Sequence, residues 1–115
     1  GERQRAWLAM LLAQDARCLL LDEPTAALDV AYQVEVLQLV RERVRETDMT
    51  AIVAIHDLNM AARVCDELVA LRDGRLLARG TPEELMSAKT LYELYGVTMG
   101  VLAHPQTHAP IAYVR

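Results

Sequence analysis

Apolar positions along this chain follow two periods, and the changes between them divide it into elements. Trp7, Met10 and Leu11, with Leu8 beside them, recur at helical spacing and predict a helix over residues 2–14. Cys18, Leu19, Leu20 and Leu21 then form an unbroken apolar run ending in Asp22 and Glu23, the pattern of a short buried strand. Val30, Val34, Leu37, Val40 and Val44 make one stripe of a second helix, Val30–Glu46, with Asp29 placed to cap it. Residues 50–55 are again a strand, uninterruptedly apolar from Ala51, and such runs suit parallel strands covered on both faces. Strand, crossover helix and strand make a βαβ unit.

Beyond it the punctuation is local and strong. Asp57 caps a short helix reaching about Val64. Residues 68–72 and 75–79 flank Asp73-Gly74, a two-residue hairpin turn that needs positive φ at both central positions. Thr81, Pro82 and Glu84 compose a helix start with a capping box and a proline in the first turn. Leu91, Leu94 and Tyr95 mark a further helix that Gly96 stops. From Val97 the pattern weakens to short strands or coil. Internal repeats and low-complexity segments are absent from the sequence.

Composition narrows the class. A chain of 115 residues suffices for one modest core, and 53% hydrophobic residues argue against disorder. No apolar run approaches the ~20 residues of a membrane-spanning helix; the longest stops at Gln14. A net charge of −4 argues against a general nucleic-acid surface, so Arg3, Arg5, Arg41, Arg43 and Arg45 read as solvated helix faces. The two cysteines, Cys18 and Cys65, read as small core hydrophobes of a reducing compartment. Gly1-Glu2-Arg3-Gln4-Arg5 lacks an initiator Met and runs straight into a helix, as a truncated chain would.

The chemistry concentrates at strand ends. An apolar strand that delivers Asp22 and Glu23 to its C-terminal edge is how an open α/β sheet builds a site for a metal and a phosphate. The first acid suits Mg²⁺, a hard cation with oxygen ligands, and the second suits the orientation of a water. The plain alternative is a strand entering a polar turn, with Pro24 ending the ladder and both acids solvated. His56 directly follows the second strand, where a lone histidine is ordinarily a loop residue. His104 and His108 lie in a proline-bearing tail and read as solvated rather than as metal ligands.

Four motifs in order decide between these readings. Gly1-Glu2-Arg3-Gln4-Arg5, Leu19-Leu-Leu-Asp22-Glu23-Pro24-Thr25, Ala27-Leu28-Asp29 and His56-Asp57 resemble, in turn, the tail of the signature motif, the Walker B motif, the D-loop and the switch histidine of ABC-transporter ATPase domains. The resemblance covers essentially the whole chain and implies an α/β fold. It is the C-terminal part of a P-loop NTPase: a parallel sheet flanked by helices, with a β-hairpin and C-terminal helices, so that residues 1–115 are one portion of a single ATPase domain. It implies ATP and Mg²⁺ as cofactors, Asp22 as metal ligand, and Glu23 and His56 as catalytic residues. Gly1 and Glu2 would contact nucleotide across a dimer of ATPase domains, and Asp29 would couple the two sites. The implied partners are a second ATPase domain, membrane permease subunits and, indirectly, a periplasmic or surface substrate-binding protein, with no nucleic acid. The implied location is peripheral, at the cytoplasmic face of the cell membrane.

Departures qualify the match. The Gly-rich phosphate loop, the glutamine loop and the helical subdomain before the signature do not occur in these residues, and Ala26-Ala27 stand where the family's D-loop usually begins with Ser. The run from Arg75 to Glu84, followed by Leu91-Tyr92-Glu93-Leu94-Tyr95-Gly96-Val97, is similar to importers of iron-siderophore, haem and cobalamin type. Two alternatives stay open: an ABC ATPase that does not transport, and a fragment serving only as a binding or assembly module.

Overall fold

Leu19 and Leu21 set the first element: in an extended chain every second side chain shares a face, and these two turn inward while Cys18, Leu20 and Asp22 turn out. The computed structural model describes residues 6, 9, 10, 17–23 and 29–115. Two compact units divide the chain, Gly1–His56 and Asp57–Arg115. Among the described residues the strands form three two-stranded sheets.

In the first unit, β1 (Cys18–Asp22) pairs in parallel with β2 (Thr50–Ala54), in register from Cys18 opposite Thr50 to Asp22 opposite Ala54. The crossover is α1 (Val30–Glu46), capped by Asp29, whose Oδ1 accepts from the Tyr32 N–H at 3.0 Å. At the other end the Thr47 hydroxyl donates to the Arg43 carbonyl and accepts from the Met49 N–H, turning the chain into β2. Leu19, Leu21, Val36, Val40 and Met49 form the core, with Tyr32, Val44, Ala51 and Val53 against it.

Three expectations are corrected here. The β pair is covered on one face only: Leu20 is 72% and Ile52 58% exposed, because among the described residues α1 covers just the Leu19/Leu21 side. Cys18 shares the open face and is exposed rather than core. Of the expected stripe of α1, Leu37 and Val40 are buried and Val44 packs on the core, but Val36 is buried beside them and Val30, at the first helical position, is 72% exposed. Of the expected first helix, Ala6, Ala9 and Met10 are helical and Met10 is exposed; Trp7, Leu8 and Leu11 lie outside the described residues.

The second unit starts at Asp57, which caps α2 (Leu58–Val64) through Oδ1 and the Met60 N–H. β3 (Leu68–Arg72) and β4 (Arg75–Gly80) form the expected hairpin, with φ of 51° at Asp73 and 73° at Gly74, both positive as a type I′ turn demands. A bulge shifts the register between Ala70 and Leu71, leaving Leu77 as the extra residue of β4. α3 (Pro82–Leu85) carries the complete capping box of Thr81 and Glu84. α4 (Ala88–Tyr95) ends at Gly96 in the left-handed conformation, and its Leu91 is fully buried.

The weak C-terminal pattern resolves into a hairpin, β5 (Met99–Ala103) with β6 (Pro110–Val114). The His104 N–H bonds Ala109 O and the Arg115 N–H bonds Thr98 O. By the antiparallel alternation, Pro110 and Ala112 then fall at rungs whose backbone groups face away from β5. The missing N–H of Pro110 therefore costs the ladder nothing. Ala112 finds its partner elsewhere: Asn59 of α2 donates from Nδ2 to its carbonyl (3.0 Å) and accepts at Oδ1 from its N–H (2.7 Å).

Candidate functional site

The parallel register builds the site. With Asp22 opposite Ala54, the residues just past the two strands leave the sheet side by side at one edge, the edge where open α/β sheets place their ligands. Glu23 keeps a last sheet-like bond, its N–H donating to Ala54 O at 2.9 Å, while its backbone turns left-handed at φ 47°. That conformation is uncommon for a residue with a side chain and breaks the strand's alternation. Through this turn the Glu23 carboxylate pairs with His56, Oε1 to Nε2. The imidazole is 91% exposed and the carboxylate side chain 38%, so the pair sits at an open surface rather than in a sealed pocket.

Asp22 is exposed at the same edge. Among the described residues no group of three or more His, Cys, Asp or Glu side chains converges as a metal cage. A single exposed carboxylate such as Asp22 would fit Mg²⁺, which keeps much of its water and takes only one or two carboxylates besides phosphate oxygens. Asp29 is exposed and already serves α1 as its cap. Gly1 and Glu2 lie outside the described residues.

Two residues escaped the sequence reading. Asn59 stands in a short helix where an amide gives no signal of a partner 53 residues away. His104 was expected to be solvated but is half-buried, and its Nδ1 accepts from the N–H groups of Gln106 and Thr107, both at 3.1 Å. It is a turn-former that holds the β5–β6 loop, where His108 takes a φ of 63°. The spacing of a side-chain acceptor two and three residues ahead of N–H groups, ordinary for Asn or Asp, is the clue a histidine hides.

A parallel β-α-β unit with an acidic pair and a histidine at the C-terminal strand edge has the fold of the P-loop nucleoside triphosphatases. A solved structure described as an inward-facing conformation of a putative metal-chelate type ABC transporter superposes with a TM-score of 0.85, at 23% identity, over 99% of this chain and 46% of that one. By sequence the chain is homologous to the ATP-binding subunits of ABC transporters. It is 41% identical over 111 residues to the ferric enterobactin transport ATP-binding protein FepC of Escherichia coli (strain K12), matching 96% of this chain and 41% of that protein. It is 46% identical over 109 residues to the cobalamin import ATP-binding protein BtuD of Halobacterium salinarum, matching 95% of this chain and 27% of the relative. The chain thus spans well under half the length of these curated relatives. No protein-family model matches it. No helix among the described residues is long and apolar enough to cross a membrane.

Proposed function

We propose that the protein carrying this chain is the ATP-hydrolysing subunit of an ABC importer whose cargo is an iron-siderophore, haem or cobalamin-type chelate. The observation that carries this reading is the Glu23–His56 pair at the C-terminal edge of a parallel strand pair. The names of the relatives, ferric enterobactin transport and cobalamin import, support the cargo class.

Phosphoryl transfer needs mostly positioning and charge stabilisation. Asp22 would hold Mg²⁺ through a water, and the ion would supply charge neutralisation at the phosphate oxygens. Glu23 would accept a proton from the attacking water as general base. His56, paired with Glu23, would keep that carboxylate aimed and reach toward the γ-phosphate. Asp29 would face a second ATPase domain, as Gly1 and Glu2 would from the signature tail, so that two subunits share two nucleotides. Permease subunits would hold the pair at the cytoplasmic face of the membrane, with a substrate-binding protein delivering cargo from outside.

The test is Glu23→Gln in the full-length subunit. Removing a general base lowers turnover by roughly 10²–10⁴-fold, and the neutral isostere should leave ATP affinity intact. Turnover at the wild-type rate would sink the role of Glu23.

A further inference from the structure

Neither strand of the C-terminal hairpin carries a charged side chain: β5 reads Met99-Gly-Val-Leu-Ala103 and β6 reads Pro110-Ile-Ala-Tyr-Val114. An uncharged strand with a bare edge is a template for pairing with another chain. Proteins blunt such an edge with a lysine, a proline, a bulge or a covering element. β6 carries a proline and a covering side chain on its outer edge, the one turned away from β5.

The alternation of the hairpin fixes which groups lie on that edge. The His104 and Arg115 N–H groups bond Ala109 O and Thr98 O, so Pro110, Ala112 and Val114 turn their backbone groups outward. Pro110 has no N–H to offer. Ala112 has both groups, and Asn59 of α2 takes both, donating from Nδ2 to the carbonyl and accepting at Oδ1 from the N–H. A primary amide offers a donor and an acceptor side by side, as a residue of a neighbouring strand would. Ala112 is only 7% exposed, so without Asn59 its two groups would stand unpaired with little access to water, a costly state.

We propose that Asn59 closes the outer edge of β6 against strand addition, and that the partner it excludes is a second copy of this protein. Two copies of β6 would pair antiparallel about a two-fold axis at Ala112. Ala112 would then oppose its own copy and Pro110 would oppose Val114, whose N–H can still bond the Pro110 carbonyl. Like charges never meet in that arrangement, because the strand has none. The tie and the edge both lie within the second unit and are independent of the Glu23–His56 pair.

The test compares the full-length subunit, without nucleotide, with its Asn59→Ala variant, which loses both bonds and gains helix propensity. We expect the mass of Asn59→Ala in light scattering to climb with concentration to about twice the wild-type value or beyond. In dilute solution its Ala112 N–H should exchange about tenfold faster than in wild type. Adding Ala112→Pro should restore the wild-type mass, since it removes the outward donor and takes nothing from the bonds to β5. A folded Asn59→Ala with wild-type mass at every concentration overturns the proposal, as does association that the added Ala112→Pro leaves in place. If Asn59→Ala does not fold, Asn59→Leu, which keeps the volume, carries the same outcomes. In wild type itself, an Ala112 N–H that exchanges as fast as an unbonded one overturns the proposal whatever the variants do.

Discussion

Glu23 bears a backbone cost at its turn. A left-handed residue with a side chain is disfavoured by about 1–2 kcal/mol relative to the right-handed region, and glycine would fit the same φ freely. Glu23→Gly should therefore stay within about 1 kcal/mol of wild-type stability, because relief of φ offsets the lost surface pair. It should nevertheless lower ATP turnover in the full-length subunit by roughly 10²–10⁴-fold. A melting temperature many degrees lower would show that the φ of 47° carries no strain. Tyr95 supplies a pH prediction. Its phenol is raised first by burial and then by Asp57, so ionising it costs more in the folded state than in the unfolded one. Its contribution is complete below the unfolded value of about 10 and is lost as pH rises through the folded value. Tyr95→Phe should flatten the alkaline limb of a denaturation-against-pH curve while leaving neutral stability little changed.

At the scale of elements, local chemistry decides the boundaries. Thr81 and Glu84 exchange bonds at the start of α3, at 3.2 Å each way, and the Thr81 side chain and backbone hold the Glu84 carboxyl below its ordinary range. That contribution is present above the ordinary carboxylate pKa and is lost as pH falls through the lowered one. Thr81→Val should thus destabilise the protein most near neutrality, and the gap from wild type should narrow in acid without closing, since the lost cap for the Glu84 N–H does not titrate, as read by chemical denaturation at both pH values. Gly96 ends α4 at φ 72° with open space around its α-carbon, so Gly96→Ala meets no clash and costs only the left-handed penalty of about 1–2 kcal/mol. Gly100 is different in kind. A β-carbon there would collide with the Tyr113 ring on the paired strand, so the ring covers the glycine and Gly100→Ala must displace it.

At the scale of the molecule, among the described residues each unit has exposed apolar side chains on its strands. Leu20 and Ile52 are exposed on β1 and β2, and Val69, Leu71 and Leu76 on β3 and β4. Two-stranded sheets are marginal without further cover, and exposed strand edges invite pairing with other chains. The 115-residue chain on its own should self-associate, giving a mass above 12.8 kDa by light scattering. Its residues include no Gly-rich loop ending in Lys-Ser/Thr to cradle a triphosphate. Calorimetric titration of this chain alone should accordingly show no micromolar ATP affinity, and such affinity would mean that the strand-edge carboxylates bind nucleotide by themselves.

Helix starts, the Asp73-Gly74 turn and the Gly96 stop were legible because each is settled by residues within a few positions of one another. The parallel pairing of β1 with β2 followed from the same logic, since a long crossover helix separates two apolar runs. The candidate site was legible as far as the identities of Asp22, Glu23 and His56. Its arrangement was not: the left-handed turn that brings Glu23 to His56 depends on a bond to Ala54 of the neighbouring strand. Nor could periodicity say which face of an apolar strand is covered, so Leu20 and Cys18 fell on the open side. The bulge at Leu77, the turn built on His104 and the tie between Asn59 and Ala112 likewise belong to the tertiary structure. Sequence by itself determined the elements, their ends and the chemical types at the strand edge, because those rest on local backbone bonds. Only the fold decided which side chains meet, because that depends on contacts between residues far apart in the chain.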